Sequence, residues 1–219
     1  MKRSRTPHPD PAAFIKANLP ISPVPSIPEI CLHTAGPASG LWRLAGRREA
    51  DPAPYWAYPW AGGAVLARHL LDRPEMVSGR RVLDLGAGSG LVAIAAAKAG
   101  AATVTAVDID ANAIAAIGIN AAINGVTIAV VAADIIGTPP PEADVLVVGD
   151  LFYDPALAVR VTAFLRRCQA SGIEVLIGDP ERAYLPQGEL RRIATHAVAD
   201  FGAGTGRGAV QAGVFSLRQ

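Results

Sequence analysis

A ten-residue stretch, Arg81-Val-Leu-Asp84-Leu-Gly86-Ala-Gly88-Ser-Gly90, limits what this chain can fold into more than any other. A β-branched and aliphatic run ends in an acid, a GxGxG turn follows, and Leu91 to Ala99 is strongly helical in composition. The pattern predicts strand, tight turn and helix. Glycines let the backbone take positive φ and approach a ligand closely. The helix start leaves unpaired N–H groups at the same place. A nucleotide-like ligand is expected there.

Two details narrow the ligand. The dinucleotide fingerprint is GxGxxG, with the helix dipole facing a pyrophosphate. Here the third glycine comes one residue early and Leu91 takes its place. Asp84 also sits at the strand end beneath the turn, where a diphosphate would meet a negative charge. A carboxylate there suits a cationic ligand group. Residues 82–90 resemble motif I of class I methyltransferases that use S-adenosylmethionine (SAM), a cofactor without phosphate that carries an ammonium and a sulfonium.

The 219 residues allow one well-buried α/β domain plus an N-terminal extension, divided at 1–53 and 54–219. A net charge of +1 leaves no electrostatic footprint for nucleic acid or anionic lipid. Cys31 and Cys168 have no metal-ligand spacing and read as buried thiols of a reducing compartment. No metal is expected. No apolar run reaches membrane-spanning length, and the basic start lacks a signal-peptide h-region, so a cytoplasmic protein is expected.

Along the extension, residues 12–19 suit two helical turns, and prolines 20, 23, 25 and 28 force extended or turn structure. Ile30–His33 and Leu41–Leu44 are strand candidates for a hairpin covering the site, with His33 as a packing residue. Tyr55, Trp56, Tyr58 and Trp60 crowd into a chain with only 5% aromatics, and Ala64–Leu71 continues as an amphipathic helix. Further strands are predicted at 103–108, 126–131, 144–150 and 173–178, with helices at 111–123 and 155–169 capped by Asp110 and Asp154. A short helix is expected near 188–192. Strands near 194–199 and 209–216 form a terminal hairpin around the glycine-rich loop 202–208. The fold class is α/β: a Rossmann-like, doubly wound seven-strand sheet with helices on both faces and the last strand antiparallel. Strand ends then gather Asp84, Asp108, Asp134 and Asp150 on one edge, where open α/β sheets bind ligands. Asp108 is placed to accept from ribose hydroxyls, and Asp134 from an adenine amine.

From about residue 54 to 217 the chain is similar to the seven-strand methyltransferases that act on lysines of non-histone proteins. Three stretches, 54–63 (PYWAYPWAGG), 149–154 (GDLFYD) and 178–186 (GDPERAYLP), resemble the electron transfer flavoprotein β-subunit lysine methyltransferase family. The resemblance implies that Asp84, Gly86 and Gly88 hold the methionine end of SAM, Asp108 with Ile109 the ribose, and Asp134 with Ile135 the adenine. Trp60 joins the cofactor wall. Asp150 and Tyr153 face the target amine, and Trp56, Tyr58 and Phe152 shape the substrate channel. The implied partner is the electron transfer flavoprotein β subunit, met by a monomer. Rival readings are a ribosomal-protein lysine or small-amine N-methyltransferase on the same scaffold, and a SAM-binding module without turnover. A nucleic-acid amino methyltransferase fits poorly, because Leu151-Phe152 replaces the two prolines of its (Asp/Asn)-Pro-Pro-(Tyr/Phe) motif.

Overall fold

Five apolar runs become adjacent parallel strands in the computed structural model, which describes residues 10–44, 54–199 and 208–218. They are β3 (Arg81–Leu85), β4 (Thr103–Asp108), β5 (Ala129–Ala132), β6 (Val145–Gly149) and β7 (Glu174–Asp179). With β8 (Leu190–Ala199) and β9 (Ala209–Leu217) they form one seven-stranded sheet in the order β5-β4-β3-β6-β7-β9-β8. β9 runs antiparallel to both neighbours. Successive side chains of a strand point to opposite faces, and the core divides accordingly. Val145 and Val147 of β6 face α2 (Ala61–Asp72) and α3 (Leu91–Lys98), whereas Leu146 and Val148 face α5 (Pro155–Ala170). α4 (Ala111–Ile123) lies on the α3 side. The order reverses between β3, whose chain continues towards β4, and β6, whose chain continues towards β7. That reversal opens the crevice.

The helix ends follow the predicted chemistry. Asp110 accepts from the Asn112 N–H at 2.8 Å and Asp154 from the Leu157 N–H at 2.8 Å. Gly125 turns the chain after α4 with φ 67°. Cys168 is buried, and that burial pushes its thiol up to about 11.

The extension differs from expectation. α1 (Pro11–Asn18) forms, but the hairpin pairs β1 (Ile21–Val24) with β2 (Ile27–His33), and Leu41–Arg43 is a 3₁₀ turn. A two-stranded sheet has two edges, so Pro23 can lie in β1 with no ladder donor lost. β2 is docked by two asparagines one helical turn apart on α4. Asn120 accepts from the His33 N–H at 2.9 Å, and Asn124 bridges the Cys31 N–H and C=O at 3.0 and 2.6 Å. Asn120 also donates to the Ser89 carbonyl at 2.9 Å, tying hairpin, helix and glycine turn together. His33 is buried with Nδ1 2.7 Å from the Leu19 carbonyl, a packing role.

Two more boundaries move. The strand expected over 126–131 is Ala129–Ala132, and the helix expected near 188–192 is a 3₁₀ turn, Gln187–Glu189, that runs straight into β8. β8 pairs with β9 from Leu190↔Leu217 onward, and that ladder outweighs local helix preference. The glycine-rich loop lies outside the described residues from 202 to 207, as do the basic start through residue 9 and residues 45–53.

Candidate active site

The backbone at the mouth of the crevice is shaped by glycine. Gly86, Gly88 and Gly90 take φ of 69°, 54° and 82°, the left-handed region that only glycine enters freely. A Cβ on Gly86 would lie 2.7 Å from Leu151 Cδ2, the yielding end of a side chain, so it is the φ of 69° that calls for glycine there. The floor is also built with glycine. The first turn of α2 lies directly on the ends of β6 and β7, with Gly62 and Gly63 against Gly149 and Gly178.

Above this floor is a cavity of about 500 Å³, a normal size for a cofactor site. Among its lining residues are all four aromatics of 55–60, together with Asp84, Gly86, Gly88, Asp108, Ile109, Asp134, Ile135, Asp150 and Tyr153. Phe152 is the exception. It is fully buried beneath the sheet in the cluster around Phe164, so its place in a substrate channel is corrected to a place in the core. The cause is local. Asp150 has φ 57°, which swings Leu151 and Tyr153 to the cavity and Phe152 away from it.

The two tryptophans, both at the cavity, have different surroundings. Trp56, expected at the substrate, is buried against α1 and α4, with its Cα next to Gly88. Trp60, expected at the cofactor, packs 5.9 Å from Tyr55 and 5.9 Å beneath the Arg182 guanidinium, with its indole N–H on the Tyr55 carbonyl at 2.7 Å. Tyr58 meets Trp60 edge-on at 5.8 Å and Tyr153 meets Tyr55 at 5.4 Å. None of residues 10–44 lines the cavity; Phe14, Ile15 and Leu19 of that part buttress Trp56 from behind.

The acids differ in environment. Asp84 is 1% exposed and accepts from the Ala93 N–H at the start of α3, 2.9 Å away. Burial, opposed by that bond and reinforced by Asp108, lifts its carboxyl to about 7. Asp108 braces the glycine turn, accepting from the Gly88 N–H at 2.8 Å and the Asp110 N–H at 2.9 Å, and burial raises it too. Asp134 is held below the usual carboxylate range by its bond to Arg160 at 2.7 Å and by the Ile136 N–H. Asp150 accepts from the Gly63 N–H at 2.7 Å on Oδ2 and from Arg182 at 2.6 Å on Oδ1. It therefore caps α2, although it is nearer in sequence to α5.

A fifth strand-end acid was missed, together with its neighbour. Asp179 ends β7 fully buried, accepts from the Arg182 N–H at 2.7 Å, and is lifted to about 6 chiefly by burial. Both residues stand in the stretch 178–186, and acid at a strand end was the available signal. Among the described lining residues Arg182 is the only Lys or Arg, and it is paired with Asp150. The other charged lining residues described are carboxylates, set with tyrosine and serine hydroxyls among apolar walls of Ile109, Ile135 and Leu157. That set fits a cofactor with cationic and hydroxyl groups and no phosphate, as SAM is. Asp84 and the turn would hold its amino-acid end, with Asp108 at the ribose.

The electron transfer flavoprotein β-subunit lysine methyltransferase of Danio rerio is 42% identical over 176 residues, covering 80% of this chain and 68% of its own length. The Homo sapiens protein of the same name is 38% identical over 177 residues, with 80% and 68% covered. The chain belongs to the electron transfer flavoprotein β-subunit lysine methyltransferase family. It is accordingly a SAM-dependent lysine methyltransferase. The ribosomal protein L11 methyltransferase (PrmA) family also matches, over residues 66–154. Among solved structures, ribosomal protein L11 methylase from Lactobacillus delbrueckii subsp. bulgaricus superposes with TM-score 0.50 at 24% identity, covering 70% of this chain and 77% of that one. A Thermus thermophilus 16S rRNA methyltransferase in complex with AdoMet and guanosine gives 0.52 at 20%, covering 80% and 45%. These two share the fold with the family.

Proposed function

We propose that this lysine methyltransferase acts on the electron transfer flavoprotein β subunit, as a monomer, with Asp150 and Tyr153 receiving the target lysine. One observation carries the reading. The stretches 54–63, 149–154 and 178–186, far apart in sequence, meet around one cavity and leave an aromatic entrance beside a carboxylate. The net charge of +1 supports a protein substrate over nucleic acid. The free thiols Cys31 and Cys168 support a reducing compartment such as the cytoplasm. No helix of the described residues is long and apolar enough to cross a membrane.

Bound here, SAM supplies an electrophilic methyl on a sulfonium, and the hard chemistry is the cofactor's own. The chain's task is alignment, worth about 7–11 kcal/mol in favourable systems. Tyr55 and Tyr153, each about half exposed in the free chain, and Trp60 would close on a seated lysine and exclude water there, which favours the neutral amine by desolvation. Asp150 accepts one amine N–H and aims the lone pair at the methyl. A neutral amine that gains a methyl must lose one N–H proton, which the solvent-facing mouth beside Tyr55 and Tyr153 would let pass to water.

The match to PrmA favours a second substrate, ribosomal protein L11; it covers the cofactor half and ends before 178–186. Incubation with radiolabelled SAM and each purified protein decides between them. Label on a lysine of the β subunit is expected, and label on L11 alone refutes the reading. Asp150→Asn is expected to lower kcat about a hundredfold, the usual scale for losing alignment of a reactant. S-adenosylhomocysteine affinity should stay within about threefold, well under one tenfold step of 1.4 kcal/mol. Full turnover in that variant would remove Asp150 from the chemistry.

A further inference from the structure

Asp150 by itself works against the reaction it is placed to serve. An unpaired carboxylate beside a lysine stabilises the ammonium, which has no lone pair to offer. The structure supplies the correction. Arg182 Nη2 and Nε lie 2.6 and 3.2 Å from Asp150 Oδ1, with both side chains largely buried. The main chain of Arg182 is held by its N–H on Asp179 at 2.7 Å and by Glu181 before it, which has φ 67° and an ion pair to Arg192, while the guanidinium lies over Trp60.

Among the described residues, the charged groups at this end of the cavity include Asp150 after β6 and Asp179 with Arg182 at and beyond β7. The phenols of Tyr55 and Tyr153 line the same cavity; Tyr153, whose charged neighbours are Asp108 and Asp154, is kept protonated above its usual range chiefly by burial. α2 presents here the glycine backbone of 62 and 63. Asp84 and Asp108 stand at the other end, by the glycine turn.

We infer that Arg182 is a positioning residue that sets the protonation state of the target amine: by neutralising Asp150, it lets that carboxylate orient a lysine as free amine rather than trap it as ammonium. The inference rests on the assignment of Asp150 to the target lysine. It also explains why the arginine is anchored so firmly at a residue that never needs to touch the methyl.

The test is the pH dependence of single-turnover methyl transfer to the β subunit, with enzyme in excess and SAM saturating, for wild type, Arg182→Met and Arg182→Lys. A charge within 4–6 Å shifts a pKa by about 1–3 units. The rising limb of Arg182→Met should therefore move to higher pH by about one unit or more. Its rate then lags wild type roughly tenfold at pH 7 and converges towards it near pH 10. Arg182→Lys, which keeps the charge, should hold the limb at the wild-type position. A loss equal at every pH, an unmoved limb, or a lysine variant that behaves like methionine overturns the inference. S-adenosylhomocysteine affinity and thermal midpoint, measured alongside, show that each variant is folded. Wild type that leaves the β subunit unlabelled refutes the substrate assignment alone, and the limbs are then compared on the lysine protein that wild type does label.

Discussion

Gly178→Ala is expected to cost the protein its fold. The added methyl would run into the Gly62 carbonyl oxygen and come within 2.7 Å of Leu66 Cβ. Neither obstacle is the flexible end of a side chain. The first is helix backbone whose neighbour, Gly63, is itself pressed on Gly149, where a Cβ would lie 2.9 Å from Gly63 Cα. Relief requires lifting all of α2 off the sheet, and α2 carries Val65, Leu66 and Leu70 into the core. Costs above about 4 kcal/mol are reserved for such core disruptions. In a domain of this size each kcal/mol lowers the thermal midpoint by roughly 2–4 °C. A fall of about 10 °C or more, or loss of a cooperative transition, is the expected result in a melt followed by circular dichroism. Gly188→Ala, where nothing lies within 4 Å of the new atom, should melt with wild type. Equal midpoints for both variants would show that the helix does not sit on β7 as described.

That contact also shows what could and could not be read from the residues alone. Strands such as Val145-Leu-Val-Val are buried on both faces and write themselves as continuous apolar runs. The sheet, its switch point and the glycine turn were therefore legible, as were the caps Asp110 and Asp154, because local hydrogen bonding decides them. What escaped depends on distant partners. Arg182 acquires meaning only because β7 lies beside β6, which brings it to Asp150 across 32 residues. Phe152 was misplaced because it was put on the same side as its neighbour Tyr153, whereas 151 and 153 face the cavity and 152 alternates into the core. Asn120 and Asn124 sit in a helix of alanine and isoleucine, and two amides four residues apart were the unread sign of a docked strand edge. The β1–β2 hairpin was missed for a related reason: its prolines look like breakers until the strand is known to be an edge.

Asp84→Asn should stabilise the free protein and disable it, in a way that pH exposes. The Asp84 carboxyl titrates at about 7 in the folded chain against an ordinary 3.8, because burial disfavours the charge. The folded chain therefore binds this proton more tightly than the unfolded one. The stability it contributes is complete below about 4 and is lost as pH rises through about 7, a total of roughly 4 kcal/mol at 1.36 kcal/mol per unit. Asparagine has no such proton to lose. Its Oδ1 can still accept from Ala93, and whatever the buried amide costs is the same at every pH. The stability difference between variant and wild type should thus widen in the variant's favour by about 3 kcal/mol from pH 5 to pH 8, read from denaturant melts. Parallel curves would sink the electrostatic account. Affinity for S-adenosylhomocysteine should fall roughly a hundredfold, since a buried charge-assisted bond is worth about 2–5 kcal/mol. In wild type the same ligand should release a proton near pH 6.5, detected by calorimetry in buffers of different ionisation enthalpy, because the ligand's ammonium makes the carboxylate the favoured form. The chain keeps a costly acid at the head of α3, and a cationic cofactor is what makes that acid worth keeping.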